Sequence, residues 1–585
     1  MINKNIQIMR TIALIMVVFF HLELKVFNIG YLGVDVFFVI SGFLMPIIMS
    51  KYTPYTYIKA RFIRLYPTLS FATLISLIIG YFLLMPGELK SLVLASLSSL
   101  SFSSNYYFLL NTGYFDIDSK LQILLHTWSL SNEFQAYLLV FISWLFFSKN
   151  KLVLCCWFFL CLSLFYIFNV DKISYLNPVP RLYLFFIAFI ISDFFKEKKI
   201  DSKFLPLISL FFVIICYLLF GGEIFLQQWP NYGIIFLPFV VIPFLLMKEC
   251  IIPDGYVQRL FVKIGDWSYS IYIWHWIVIT GEFVFLRNTA ITSYNEVIVL
   301  LVPSVFVGVF SFYYIERNKR LSLISTILIF ILIPIFYFSN GADYRVEKEV
   351  IPYSNLQKMV GGEYIKSEDI NGFKMDLFQS GNGFEKVLVI GDSFSQHILP
   401  MMKYSREYGD KTIYRIGVQP RELISGWGEI KDIIKNKKIN KVIISYNLQS
   451  KSSGDIKKLA VLLNEPSDFY KVVIRGIPDF EKDLVSCFIK KHSSLKFIGC
   501  DFDIDAGIPL NKVHNERDPN WFYLDENKRN YKTLDSHRKL CDSKSCRLII
   551  NNEFIMRDKI HFNEKLSSQT NTELGNILFS HKFNS

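Results

Sequence analysis

A serine with a distant base is the first group in this chain that could do chemistry. The apolar run Val387-Leu388-Val389-Ile390 leads at once into Gly391-Asp392-Ser393. A strand that ends in a glycine turn presents a serine hydroxyl at the end of a sheet. Ser393 would open a helix whose N-terminal amides help form an oxyanion hole. A serine hydroxyl needs a base within hydrogen-bond reach to act as a nucleophile. Asp558-Lys559-Ile560-His561, near the C-terminus, offers a histidine and an orienting carboxylate three residues earlier. A GDS tripeptide alone is a common turn. GDS at the start of a domain with Asp-x-x-His near its end is the layout of a serine esterase or transferase.

Further ionisable residues lie inside apolar runs, where each is costly and is a functional candidate by default. Arg10 and His21 are eleven positions apart. On a helix that is three turns plus about 20°, so both fall on one face, roughly 16 Å apart along the axis. Arg10 would then sit near the cytoplasmic end of a span and His21 deep in the bundle. The plainer reading is a snorkelling arginine and a hydrogen-bonded core histidine. Arg61 and Arg64, spaced i, i+3 ahead of Pro67, suit a phosphate or pyrophosphate, or serve as ordinary membrane anchors. His126, Trp128 and Glu133 fall at the start of another apolar run, where a buried glutamate can tune a histidine as base. Asp35 adds an intramembrane carboxylate, and Gly42 permits close helix packing. Tyr269 to Trp276 reads as an aromatic belt in which His275 is structural. His492, His514 and His537 lack ligand spacing, and no metal site is expected.

These groups need elements to hold them. The chain has 585 residues, 52% hydrophobic and 17% aromatic, with mean hydropathy +0.35. That composition fits a polytopic membrane protein joined to a second domain. The net charge of +12 comes with many basic residues in short loops between apolar runs, which membrane topology explains better than nucleic acid does. Spans are expected at 8–25, 32–50, 66–86, 127–147, 152–170, 178–195, 204–221, 232–248, 269–287, 296–315 and 321–339. The Ser-rich run 91–104 is short and reads as interfacial or re-entrant. Lys51, Lys59, Arg61, Arg64, Lys149, Lys151, Lys196, Lys198, Lys199, Lys203, Arg317, Lys319 and Arg320 put the N-terminus and the inner loops in the cytoplasm. An odd number of spans then places the C-terminal domain outside. Its four cysteines suggest two disulfides in an oxidising compartment, Cys541 with Cys546 and Cys487 with Cys500, with free thiols as the alternative. The expected organisation is a transmembrane domain over 1–320, an extra span over 321–339, a linker or extension over 340–382, and an α/β domain over 383–585. In that domain Val442-Ile443-Ile444-Ser445, Val472-Val473-Ile474 and Leu548-Ile549-Ile550 are expected strands of a three-layer α/β sheet.

The apolar half resembles the membrane-bound acyltransferases of type 3, which include O-antigen and peptidoglycan O-acetylases. The resemblance rests on Arg10 with His21, GVDVFFVISGF at 33–43, RFIR at 61–64, HTWSLSNEFQAY at 126–137, SYSIYIWHW at 268–276 and IER at 315–317. Two positions depart from the family pattern. Glu133-Phe134 keeps one carboxylate of the usual acidic pair, and Gln7 replaces an acidic residue ahead of Arg10. The resemblance implies a ten-helix bundle that takes acetyl from cytoplasmic acetyl-CoA as donor substrate, with no bound cofactor. His21 would be the central base or acyl relay. Arg10, Arg61 and Arg64 would hold the CoA phosphates, with Asp35, His126, Trp128 and Glu133 in support. An eleventh span would carry the chain out.

GDSFSQH with DKIHF resembles the SGNH hydrolase-like domain fused to many of these enzymes, with Phe394 where a histidine is frequent. By that resemblance Gly417 and Asn447 are candidate oxyanion donors, against plain loop chemistry. The implied whole is a membrane bundle of 10 + 1 spans followed by a soluble three-layer SGNH hydrolase-like domain. Its expected partners are membrane lipid, acyl-CoA and a cell-surface glycan acceptor, and no nucleic acid. It would be an inner-membrane O-acyltransferase with a periplasmic domain, acting on lipopolysaccharide O-antigen or lipooligosaccharide sugar, with peptidoglycan second. A transporter and a membrane-anchored sugar esterase are the readings from other classes.

Overall fold

The helices begin where capping chemistry lets them, which is not always where the apolar runs begin. The computed structural model describes residues 4–111, 119–147, 179–195, 237–286, 293–354, 364–382, 384–475, 484–491, 519–558 and 560–579, with single residues and short pieces between. Two units are present. One comprises Met1–Leu84, Glu88–Phe285 and Thr289–Ala342, and the other is mainly Asp343–Ser585.

The first unit is helical among the described residues. Its helices are α1 (Lys4–His21), α2 (Leu32–Met49), α3 (Pro54–Leu83), α4 (Pro86–Leu100), α5 (Ser104–Leu110), α6 (Thr127–Phe147), α7 (Val179–Phe195), α8 (Leu237–Leu246), α9 (Tyr256–Leu286), α10 (Tyr294–Tyr314) and α11 (Lys319–Phe338). Six of them, α1, α2, α3, α9, α10 and α11, are long and apolar enough to cross a membrane. The expected spans 152–170 and 204–221 lie outside the described residues except for Trp157.

Two helices start earlier than hydropathy suggests. Thr53 caps α3 through a reciprocal pair with Thr56, and Pro54 takes the first helical position. The helix then runs through Pro67 to Leu83. Arg61 and Arg64, expected at the mouth of a span beginning at 66, therefore lie inside α3. Helix α9 begins at Tyr256, thirteen residues before the expected start of its span. Helices α10 and α11 bury only 22% and 28% of their apolar windows, against 56–67% for the other four, so they face outward with side chains suited to lipid. Between α2 and α7 the approach is close. A Cβ on Gly42 would collide with the Phe185 backbone, and Ser192 Oγ donates to the Phe43 carbonyl at 2.6 Å.

The second unit is built on a seven-stranded sheet, in the order β1-β2-β4-β3-β5-β6-β7. The strands are β1 (Lys366–Ile370), β2 (Phe373–Gln379), β3 (Lys386–Gly391), β4 (Thr412–Gly417), β5 (Lys441–Tyr446), β6 (Tyr470–Arg475) and β7 (Lys532–Asp535). Strands β4, β3, β5, β6 and β7 are parallel, and β1 and β2 add an antiparallel edge. In β3, Val387 and Val389 face one apolar core and Leu388 and Ile390 the other, so the strand is buried on both faces.

Two expectations change here. The sheet begins at residue 366, inside the stretch read as a linker. Asn371-Gly372, both with positive φ, make a tight hairpin turn there. Ile549-Ile550, expected in the main sheet, instead pairs with Glu553-Phe554 in a separate two-stranded ribbon, turned by Asn551-Asn552 with positive φ at both. Cys541 and Cys546 form a disulfide. Cys487 is disulfide-bonded as well, and Cys500, its expected partner, lies outside the described residues.

Candidate functional sites

In the helical unit, α1, α2, α3, α6 and α9 line a cavity. Its polar lining includes Arg10, Arg64, Glu133, Tyr137, Ser129 and Tyr272. Phe37, Phe38, Leu44, Leu65 and Leu130 supply apolar wall. Glu133 accepts hydrogen bonds from Ser41 Oγ at 2.5 Å and from the Tyr137 hydroxyl. Two guanidiniums and one carboxylate thus share a largely apolar chamber.

The expected phosphate-binding trio is split. Arg10 and Arg64 line the cavity, while Arg61 does not. Arg61 is buried one turn away, with its guanidinium 5.9 Å from the centre of the Tyr137 ring.

His21 is also apart from Arg10. It is the last residue of α1, and its ring lies 4.6 Å from Trp276 and 5.5 Å from His275. His126, buried, lies 6.2 Å from His275, so three imidazoles cluster. His275 Nδ1 is 2.5 Å from the Tyr272 carbonyl. A carbonyl can only accept, so Nδ1 carries the proton and Nε2 keeps its lone pair. That Nε2 is buried with no hydrogen-bond partner among the described residues. Tyr272 joins the two regions. It lines the cavity, shares a 2.6 Å hydrogen bond with Ser129, and lies 5.3 Å from the His275 ring.

Asp35 is not in the cavity wall. It pairs with Arg181 at 3.3 Å, both buried, and the Arg181 guanidinium sits 5.4 Å from the centre of the Trp128 ring. A lone carboxylate in a bundle is expensive, and Arg181 is the partner that makes Asp35 tolerable. Sequence reasoning missed Arg181, because the pairing exists only once α2 and α7 pack.

In the second unit, Ser393 opens a short helix at the C-terminal end of β3. Its Oγ lies 2.9 Å from His561 Nε2. His561 Nδ1 lies 2.9 Å from both carboxylate oxygens of Asp558. Asp558 Oδ1 also accepts the backbone N–H groups of Ile560 and His561, each at 2.9 Å. The three residues predicted from sequence are therefore hydrogen-bonded in series. Burial pushes the Asp558 carboxyl up, but His561, its hydrogen bond and Arg557 outweigh that and hold it well below the usual carboxylate range. Arg557 is fixed in turn by Glu564 at 2.8 Å.

The turn before Ser393 is tied to the next loop by Asp392. Its carboxylate accepts from the backbone N–H groups of Phe394 and Asn447 and pairs with Lys451 at 2.9 Å. Gly417 ends β4 and Asn447 follows β5, the two strands flanking β3, so both lie at the same end of the sheet as Ser393. Phe394 packs against His561 at 5.3 Å. His397, which sequence reasoning passed over, is buried 5.5 Å from the His561 ring, and its Nδ1 accepts the Phe562 N–H. The histidine spacing in GDSFSQH was its only signal.

An apolar helical unit holding a cationic chamber, in one chain with a hydrogen-bonded serine, histidine and aspartate, marks a membrane protein equipped for acyl chemistry. The chain belongs to the acyltransferase domain family, whose profile matches residues 3–317, more than half of its length. It is 26% identical over 316 residues to the peptidoglycan O-acetyltransferase OatA of Listeria monocytogenes, covering 47% of this chain and 49% of that protein. It is 26% identical over 351 residues to the O-acetyltransferase OatA of Staphylococcus aureus, covering 53% and 56%. A putative membrane-bound transacylase of Komagataeibacter xylinus, BcsY, is 27% identical over 309 residues, covering 49% and 75%. The chain spans about half the length of the two O-acetyltransferases it matches. No solved structure gives a significant match.

Proposed function

We propose that the protein is an O-acyltransferase, acetyl being the group moved, that carries acyl from cytoplasmic acetyl-CoA to a hydroxyl of a cell-surface sugar. The observation that carries the reading is the Ser393–His561–Asp558 series, in one chain with a membrane acyltransferase domain. On this reading the chain sits in the inner membrane with its N-terminus in the cytoplasm and its serine unit, an SGNH-type domain, in the periplasm. Arg10 and Arg64 hold phosphate groups of the donor, and His21 acts as base or acyl relay. At the serine unit His561 takes the Ser393 proton as Oγ attacks the acyl carbonyl. The donor's leaving group departs with that proton. The acceptor hydroxyl then gives its proton to His561 as it attacks the acyl-serine, and Ser393 Oγ leaves, taking that proton back from His561. Ser393 N–H, Gly417 and Asn447 are the candidate donors to the oxyanion.

Lipopolysaccharide O-antigen or lipooligosaccharide sugar is the first acceptor class. Disulfides outside the membrane suit a Gram-negative periplasm. Peptidoglycan is the second, favoured by the name of the Listeria relative. The test is base-labile acetate on lipopolysaccharide and on peptidoglycan from cells lacking the protein, complemented with wild type, His21→Ala or Ser393→Ala. Acetate that returns on one polymer with wild type alone supports the two-centre transferase and names the acceptor. Acetate on both polymers indifferent to every variant removes both acceptors.

A further inference from the structure

We propose that Arg415, held by Asp376 on the antiparallel β1–β2 hairpin, is a positioning residue for the Ser393 turn, so that the hairpin is part of the working site. The proposal rests on Ser393 acting as the nucleophile. Arg415 stands on β4 beside Val389 of β3 on one side and opposite Asp376 of β2 on the other. Its Nη1 is 3.7 Å from Asp376 Oδ2. Its Nε donates to Ser395 Oγ at 3.0 Å, and its Nη2 donates to the Asp392 carbonyl at 3.3 Å. Ser395 Oγ donates to the same Asp392 carbonyl at 2.6 Å. One guanidinium therefore grips the turn on both sides of Ser393. The same group lies over Gly417, where an added Cβ would come within 2.9 Å of Nη2. That places a fixed cation between the turn that bears the nucleophile and a candidate oxyanion donor.

Asp376 is nearly fully buried and is itself oriented by Ser367 Oγ, which donates to its Oδ1 at 2.6 Å from β1. The order of support is β1 to β2 to Arg415 to the Ser393 turn. A strand pair added only to complete a sheet edge would not need a buried carboxylate aimed at the arginine under the nucleophile. Held this way, the turn keeps Ser393 Oγ in line with His561 Nε2, and sub-ångström alignment is worth orders of magnitude in rate.

The test uses the purified full-length chain in detergent with 4-nitrophenyl acetate as the ester probe, comparing wild type, Ser393→Ala, Arg415→Met, Arg415→Lys and Asp376→Asn. Arg415→Met is expected to lower kcat by about 10- to 100-fold with KM within about threefold. Asp376→Asn, nearly equal in volume, should lower kcat by about 3- to 10-fold, and Arg415→Lys should recover part of the loss. If Arg415→Met fails to fold, Asp376→Asn with an unchanged melting temperature decides alone. Wild-type kcat in that variant, or in a folded Arg415→Met, overturns the proposal. Undiminished turnover in Ser393→Ala is a separate outcome that overturns the serine reading itself.

Discussion

Replacing Asp558 by Asn should cripple the serine centre while leaving it folded. In the wild type both Asp558 oxygens lie 2.9 Å from His561 Nδ1, and Oδ1 also accepts two backbone N–H groups. An asparagine oxygen will stay with the two backbone donors. Its NH2 then faces the imidazole and, being a donor, drives the ring proton to Nε2. Nε2 is the atom that must accept from Ser393 Oγ. The variant loses a charge-assisted hydrogen bond worth about 1.5–3 kcal/mol. It must also restore the competent tautomer at a similar cost. A total of about 3–6 kcal/mol corresponds to roughly 10²- to 10⁴-fold in kcat at 1.36 kcal/mol per decade. The serine-protease template, a different protein, loses about 10⁴ on the same change. The assay is 4-nitrophenyl acetate turnover by the full-length chain at neutral pH, with KM expected within about threefold. A folded variant with kcat within about threefold of wild type would refute the assignment of His561 as a base oriented by Asp558. A second readout comes from acid. Because the Asp558 carboxyl is depressed in the folded state, its contribution to stability is present above the unfolded value near 3.9. That contribution is lost as pH falls below it, and the Asn variant should lack that part of the acid loss.

Burial, then His561 and Arg557, hold His397 well below the ordinary histidine value, so the unfolded chain protonates this residue first. Stability around β3 should fall as pH drops below about 6.5, and His397→Gln should flatten that slope in hydrogen exchange of the full chain; an unchanged slope would refute it. Gly42→Ala should lower the melting temperature in detergent, since a Cβ there meets the Phe185 backbone, and overpacking costs about 1–3 kcal/mol; wild-type melting would mean α2 and α7 do not approach this closely. Arg64→Met should raise the KM for acetyl-CoA in proteoliposomes by roughly 10- to 100-fold, whereas Arg61→Met, off the cavity wall, should change it less; equal effects would contradict the split between the two arginines.

The serine centre was legible because its parts are local. Strand, glycine turn and nucleophile are contiguous over 387–393, and Asp558 lies three residues from His561. What escaped was set by distant packing. Arg415 and Asp376 are 39 positions apart, and nothing near either announces the other. The β1–β2 hairpin reads as linker because KSEDI is a largely exposed edge strand, FKMDLFQ interrupts its apolar residues with Lys374 and Asp376, and only Asn371-Gly372 marks the turn. Leu548-Ile549-Ile550 has the composition of a central strand, yet two residues with positive φ immediately after it fold it into a ribbon. In the helical unit the apolar runs coincide with helices where residues are described, six of them long enough to cross a membrane, whereas some starts obey caps such as Thr53 that carry no hydropathy signal.

The balance of charge in the helical unit bears on how a donor would be held. Asp35 and Arg181 neutralise one another within 3.3 Å. Glu133 takes its hydrogen bonds from hydroxyls of Ser41 and Tyr137 and so leaves its charge free to offset one of the two cavity arginines. The wall itself carries two guanidiniums and one carboxylate, and the Glu316 carboxylate, held by Ser270 Oγ at 2.8 Å, interacts with both arginines from outside the wall and offsets the second. On the proposed reading a phosphate-bearing thioester would draw on these guanidiniums while placing its apolar arm among Phe37, Phe38 and Leu44. Transfer from a thioester to an oxygen ester runs downhill, so on the proposed reading the bundle needs no ion gradient. It needs only to bring the acyl carbon to a base and keep water from it. On the same reading His275, with its proton fixed on Nδ1 by a carbonyl and no partner for Nε2 among the described residues, would support His21 by sharing a proton without leaving a permanent charge in the membrane.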